Sequence, residues 1–409
     1  MRITWVTRSF LDYRIPVYQE LNKFCKGNLT VIYYRDIPPQ RTQKKIKDIL
    51  GEKAIAREKE FRIGNKPKID NASKSNTSFR IPVSPGLIKQ VINSKPDVLI
   101  SDGFMQWTYA TLAVRALKKI PHVMCYERTM HTERNAGKLR IWYRKFVSRW
   151  IDAIACNGSL CGEYVRSLGF DSNRLTFGHM VADVSGMSKA VENVTEEEIT
   201  KLKRELCINS KSIIILFVGQ LIPIKGVNQL LTAWKQFKTQ NTEDCTLVYV
   251  GYGHLEESLR NRVINENIQN VILTGGIDYD SIAKYYKAAN CFILPTIEDN
   301  WSLVVPEAMA CSLPIATTIY NGCYPELVTQ ENGWIFDTHN EQSIIDTLQK
   351  IILNKNRLKK MGEESKKIVS KHTAEKAAQS IINAIDIAQK HCKNKKTLEQ
   401  NENQHTYDV

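Results

Sequence analysis

The sequence predicts an α/β protein made of two doubly wound parallel-sheet domains, and three observations predict it. Apolar runs of strand length alternate with stretches of helical period along nearly the whole chain. That alternation stops once, in the polar segment 185–210, and then starts again. The 409 residues, 43% hydrophobic and 24% charged, are enough for two cores of ordinary composition. The expected division is 1–188, 189–392 and a polar tail from 393 to 409 that has few apolar residues and reads as disordered.

In the first half, ITWVT (3–7) reads as a strand, followed by a helix whose apolar face is Val17, Leu21 and Phe24. LTVIYY (29–34) reads as the second strand. Residues 38–80 begin Pro-Pro, show little periodicity and carry 12 basic against 5 acidic residues from Arg41 to Arg80, which suggests a mobile or locally folded insertion. DVLIS, HVMCY and AIACN then read as strands, with TYATLAVRALKK and LRIWYRKFVSRWI as the helices between them. The helix EEEITKLKREL lies in the connection between domains. The second half repeats the scheme with strands SIIILFVG, TLVYVG, NVILTG, CFILP, LPIATT and WIF, and ends in a long amphipathic helical stretch that is a candidate to return to the first domain. In such folds ligands bind at the carboxyl ends of the strands, here in a cleft with the two domains facing across it.

Composition narrows the classes. The longest apolar runs are about a third of a bilayer crossing, and the charged start MRITWVTRSFLDYR lacks the apolar core of an export signal. Ten scattered cysteines without a CxxC read as reduced thiols of a cytoplasmic protein rather than a disulfide framework or zinc ribbon. The net charge of +14 is unevenly placed: residues 1–188 hold 32 basic and 16 acidic side chains, and the rest is close to balanced. A basic half suits an anionic partner, whether nucleic acid, membrane surface or phosphorylated substrate.

Three segments of the second half carry candidate chemistry. In FVGQLIPIKGVNQLL, a strand ends at Gly219, a loop carries Gln220 and Lys225, and Gly226 opens a helix, an arrangement suited to a phosphate but also to an ordinary turn. The Gly251-x-Gly253 turn lacks the third glycine of a dinucleotide fingerprint. From Pro295 to Phe336, Glu298 and Asp299 follow a strand, and Glu307 sits in the otherwise apolar LVVPEAMA, where a lone carboxylate is unfavourable unless it is paired or faces a ligand.

Taken in order, these motifs resemble the retaining glycosyltransferases of family four (glycosyl transferases group 1), which have the two-domain GT-B fold with two Rossmann-like halves. The resemblance covers 213 to about 352 closely and most of the remainder loosely. It implies transfer of a sugar, with retention, from a UDP- or GDP-sugar to a glycan or polyprenyl-diphosphate-linked acceptor in surface polysaccharide or lipopolysaccharide synthesis. No metal is implied, and no cofactor beyond the nucleotide sugar. By the same resemblance Lys225 holds the diphosphate and Glu307 the ribose. Asp299, or Glu298 beside it, faces the donor sugar, and Asn300, Trp301 and the amides of Ser302, Leu303 and Val304 line the phosphates. Gly251, Gly253 and Ile277 border the base. The pattern departs from the family at Gln220, where an arginine is usual, and at Ser302 and Ser312, where glycines are usual.

The first half is then the acceptor domain. Arg8 and Arg14 replace its usual Gly-Gly loop. Glu127 or His131, with Asp102, is placed to orient or deprotonate an acceptor hydroxyl, unless the leaving phosphate takes the proton itself. The basic, aromatic helix LRIWYRKFVSRWI and the charge asymmetry suggest peripheral contact with anionic lipid. Two other readings are weaker. A nucleic-acid-binding protein would interleave aromatics through the basic stretch, which has only Phe61 and Phe79, and a nicotinamide-dependent oxidoreductase would need an early GxGxxG.

Overall fold

A computed structural model of the chain describes residues 1–64 and 80–407. The chain forms two units, Met1–Val181 with Thr373–Val409, and Ala182–His372.

The first unit runs β1 (Ile3–Val6), α1 (Arg14–Phe24), β2 (Leu29–Tyr34), α2 (Gln40–Leu50), β3 (Ala54–Arg57), β4 (Phe61–Gly64), β5 (Arg80–Val83), α3 (Leu87–Asn93) and β6 (Val98–Asp102). It continues with α4 (Thr108–Lys118), β7 (His122–Tyr126), α5 (Lys138–Val147), β8 (Ala153–Cys156), α6 (Ser159–Ser167) and β9 (Leu175–Phe177). Seven strands pair in parallel in the order β3-β2-β1-β6-β7-β8-β9, while β4 and β5 form a separate antiparallel pair. β1 is central and buried on both faces, which is why it reads as an unbroken apolar run rather than an alternating one.

The second unit contains α7 (Val184–Glu192), α8 (Glu196–Glu205), β10 (Ile213–Val218), α9 (Val227–Gln240), β11 (Cys245–Val250), α10 (Glu256–Asn265) and β12 (Val271–Leu273). Then come α11 (Tyr279–Ala288), β13 (Cys291–Leu294), α12 (Val304–Ala310), β14 (Ile315–Thr318), β15 (Gly333–Phe336), α13 (Glu341–Leu353) and α14 (Leu358–Val369). Its six parallel strands are ordered β12-β11-β10-β13-β14-β15. The chain then enters α15 (Ala374–Tyr407), whose Ala377, Ala378, Ile381, Ala384, Ile385 and Ala388 are buried in the core of the first unit with Trp5, Val17, Tyr18 and Val31. Small side chains on that face let the helix backbone approach its neighbours closely.

In both sheets the connections reverse direction beside one strand: between β1 and β6 in the first, and between β10 and β13 in the second. Strand ends at such a reversal leave a crevice that neighbouring loops do not fill.

Four expectations change. The division falls at Val181/Ala182 rather than after 188, while the segment from Thr373 groups with the first unit, the return for which the sequence made it a candidate. The supposed connection is part of the second unit, because Ile199 and Leu202 of α8 are buried; Thr195 and Glu198 close a capping box at its start. The insertion is not separate from the sheet as far as Arg57: Thr42, Ile46 and Leu50 put one side of α2 into the interior, and β3 adds an edge strand to β2. Its residues 65–79 lie outside the described residues. Finally, the tail is helical to Tyr407. Its Lys, Glu and Gln are good helix formers, and it has no glycine or proline to stop the helix begun at Ala374.

Candidate active site

The loop after β10 ends in a short turn, Pro223–Lys225, and Gly226 at φ +69° swings the chain into α9. A Cβ at Gly226 would lie 1.8 Å from the Pro295 carbonyl oxygen, so only glycine allows the two loops to touch. They are stitched together there. Ile297 N donates to the Ile224 carbonyl at 2.8 Å, and Thr296 Oγ1 donates to the same oxygen at 3.1 Å.

This contact delivers Lys225 to Asp299. The Lys225 ammonium is ion-paired with Asp299 Oδ2, which also accepts from Ser302 Oγ at 2.6 Å, while Asp299 Oδ1 accepts from Trp301 N at 3.1 Å. The carboxylate thus shapes the loop that leads into α12 as well as meeting the lysine. Trp301 and Ser302 are buried, and Asn300, Leu303 and Val304 are partly exposed. Glu298 is buried.

Glu307 lies in the first turn of α12, where its Oε2 accepts from Tyr286 Oη of α11 at 3.4 Å. Its carboxyl is pushed up to about 7, mainly by burial, with the tyrosine hydrogen bond working in the opposite direction and Asp183 nearby adding to the rise. The carboxyl therefore has both a donor and an acceptor form near neutral pH, either of which can bind a hydroxyl.

Gly251 and Gly253 have a nearer reason to be glycine than a bound base. Cβ atoms there would lie 1.9 Å from the Gly219 carbonyl oxygen and 2.3 Å from that of Leu221, so the two loops of β10 and β11 pack backbone against backbone. Gln220 is exposed and Ile277 partly so.

In the first unit, charge gathers where β1, β6 and β7 end. Arg14, the first residue of α1, is buried with its guanidinium 5.2 Å from the Trp5 ring centroid. It donates to Glu127 Oε1 at 3.4 Å, and its Nη1 is 3.5 Å from His179 Nδ1. His179 Nε2 sits 3.0 Å from the Tyr126 carbonyl, which fixes the proton on Nε2 and leaves Nδ1 to accept from Arg14. Burial, with the neighbouring cation, pushes this imidazole down to about 3. Asp102 ends β6; burial raises its carboxyl while Arg14 pulls it back down. Tyr13 is pushed up to about 12, first by burial and then by Glu127.

Arg14, Asp102 and Glu127 are thus brought into one electrostatic group. His131 is partly exposed in the following turn, where its carbonyl accepts from Arg134. Arg8 is committed elsewhere: it makes a two-pronged pair with Glu60 at 2.7 and 2.8 Å, and Trp107 Nε1 donates to the same carboxylate at 3.0 Å. Tyr286, His179 and Glu60 were not legible as site residues, since each earns its place through a partner more than 20 positions away. Among the described residues no group of three or more His, Cys, Asp or Glu is arranged to hold a metal ion, and no helix is long and apolar enough to cross a membrane.

Residues 198–368 match the family model for glycosyl transferases group 1, and residues 48–180 that for glycosyltransferase family 4. An uncharacterized glycosyltransferase of Methanocaldococcus jannaschii is 26% identical over 166 residues, covering 41% of this chain and 46% of that protein. The capsular polysaccharide biosynthesis glycosyltransferase CapM of Staphylococcus aureus is 25% identical over 224 residues, covering 53% and 56%. The chain spans about half the length of the curated relatives it matches. Among solved structures, Anabaena HepE in complex with UDP has a TM-score of 0.71 at 13% identity, covering 94% of this chain and 100% of that one. That likeness is one of fold, two Rossmann-like halves of the GT-B type.

Proposed function

We propose that this chain, which matches the models for glycosyl transferases group 1 and glycosyltransferase family 4, moves a sugar from a nucleotide diphosphate to a glycan or polyprenyl-diphosphate-linked acceptor, with retention at the anomeric carbon. The observation that carries the reading is the meeting of Lys225 and Asp299 at the reversal point of the second sheet, with Glu307 on the helix that follows.

In this reading the second unit binds the donor. Lys225 shares its charge between Asp299 and the diphosphate, offsetting the charge that develops on the leaving group as the sugar–phosphate bond breaks. Glu307, steadied by Tyr286, takes the ribose hydroxyls. With Gln220 in the arginine position, the lysine is the chief cation of the loop. Glu298 and Asp299 border the donor sugar.

The first unit binds the acceptor. Glu127, held toward Arg14, orients the acceptor hydroxyl, and the hydroxyl proton passes to the departing phosphate oxygen as the new glycosidic bond forms on the same face. Surface polysaccharide or lipopolysaccharide synthesis at the cytoplasmic side is the setting that suits such an acceptor.

Nucleotide release from a panel of UDP- and GDP-sugars, together with thermal stabilisation by UDP or GDP, tests the proposal. Release from at least one sugar is expected. Stabilisation by NAD or single-stranded oligonucleotide alone would reject it.

A further inference from the structure

Helix α5 is built inside out. Its inward side carries Arg144, which is buried, donates to Glu133 at 2.7 and 3.0 Å, and lies over the rings of Phe104 and Tyr164. Its outward side carries apolar groups too: Leu139 is 64% exposed, Trp142 60% and Phe146 38%. These three follow one another at spacings of three and four, so they form a single stripe along the helix. The Trp142 and Phe146 rings are stacked at 5.4 Å, and Phe146 meets Trp150 edge-on at 5.1 Å.

A soluble helix normally puts such residues toward the core. Here the core is served by Val147, with Ile141, Tyr143 and Trp150 packed against it, and none of the three stripe residues belongs to that cluster. Monomeric proteins seldom leave contiguous aromatic surface in water without a partner for it.

Charge identifies that partner. From Lys138 to Trp150 there are five basic residues and no acidic one. Lys138, Lys145 and Arg149 are exposed beside the stripe, and Arg149 lies 4.6 Å from the Phe146 ring centroid. A tryptophan-led apolar ridge flanked by cations matches the boundary between acyl chains and anionic headgroups, where aromatic rings sit at headgroup depth and lysine and arginine meet phosphate.

We infer that the outer face of α5, Leu139, Trp142 and Phe146 with Lys138, Lys145 and Arg149, is a docking surface for an anionic lipid bilayer. It deepens the proposed function, which it rests on for its biological setting, by naming the surface at which a lipid-linked acceptor is met. Its physical basis is independent of the donor site.

The test is co-flotation of the full chain with vesicles of phosphatidylcholine and phosphatidylglycerol (7:3) and with phosphatidylcholine alone. Binding to the anionic vesicles is expected to be at least tenfold stronger, to weaken in 0.5 M salt, and to fall at least tenfold in the double variant Trp142→Ser/Phe146→Ser. Replacing Lys138, Lys145 and Arg149 by Gln is expected to remove the lipid selectivity. Circular dichroism and unchanged stabilisation by UDP or GDP certify that the variants are folded.

Equal flotation by the double variant, or none of the wild type at low salt, overturns the proposal. So does a dimer that the double variant dissolves while flotation is absent, which would make the stripe a contact between copies. Flotation without any nucleotide binding would instead count against the glycosyltransferase reading and leave the lipid surface standing.

Discussion

Lys225 and Asp299 stand 74 positions apart in the chain, and they are joined by an ion pair where the loops after β10 and β13 meet. The pair gives the second unit a cation whose position is set by the backbone contacts of Ile224 rather than by a flexible stem alone.

Lys225→Met is expected to weaken UDP or GDP binding by roughly 10–100-fold, since a hydrogen bond to a charged group contributes about 1.5–3 kcal/mol. Asp299→Asn should have a smaller effect on nucleotide affinity, because the ammonium survives. Isothermal titration of both variants checks this, and equal affinity of Lys225→Met and wild type would remove the lysine from the diphosphate.

Glu307 makes stability depend on pH with a definite sign. Its carboxyl is held near 7 in the folded protein against 4.5 as the ordinary value, so between those limits the folded chain retains a proton that the unfolded chain has released. Stability therefore falls as pH rises through that window and levels off above it, a loss of up to about 3 kcal/mol. Glu307→Gln should match wild type at pH 4.5 and melt higher at pH 8, while losing nucleotide affinity. Parallel melting curves with the wild type at both pH values would refute the assignment.

His122 and His179 act in the other direction. Burial holds them down at about 4 and about 3, against an ordinary 6.5. On acidification below 6.5 the unfolded chain takes up these protons first, so the first unit loses about 2 kcal/mol per histidine by pH 5. His122, whose Nε2 is 2.9 Å from Ser101 Oγ, is the simpler probe. Urea midpoints of His122→Asn should change less between pH 7 and pH 5 than those of wild type.

Ser312, just past the end of α12, has φ +59°, a conformation that glycine adopts without strain. Ser312→Gly is expected to stabilise the second unit by about 1 kcal/mol, or roughly 2–4 °C in melting temperature. A lower melting temperature would show that the serine has a compensating role.

The strand scheme of both units was legible because central strands of a parallel sheet are apolar on both faces, as in ITWV and IIILFV. Lys225, Asp299 and Glu307 were legible as candidates because their polarity interrupts that scheme at strand ends or on an apolar helix. What polarity could not tell is partnership. Tyr286 looks like any helical aromatic until it meets Glu307, and Glu60 looks like one more charge in a basic stretch until Arg8 and Trp107 close on it. The strand β3 was hidden because AIAR is short and sits among lysines. The inward side of α2 has only Thr42, Ile46 and Leu50, too few to show a period against seven polar neighbours.

The return of α15 to the first unit separates the order of synthesis from the order of completion. A ribosome making 5–20 residues per second needs roughly 10–40 s to pass through Ala182–His372. For that interval the nascent amino-terminal half carries the bare seat of Ala377, Ile381 and Ile385, an oily strip that its own tail has yet to cover. Translation thus leaves the earlier-made half dependent on a helix made after the whole second unit, and a stop codon near position 372 would release a chain whose second unit is whole and whose first is unroofed.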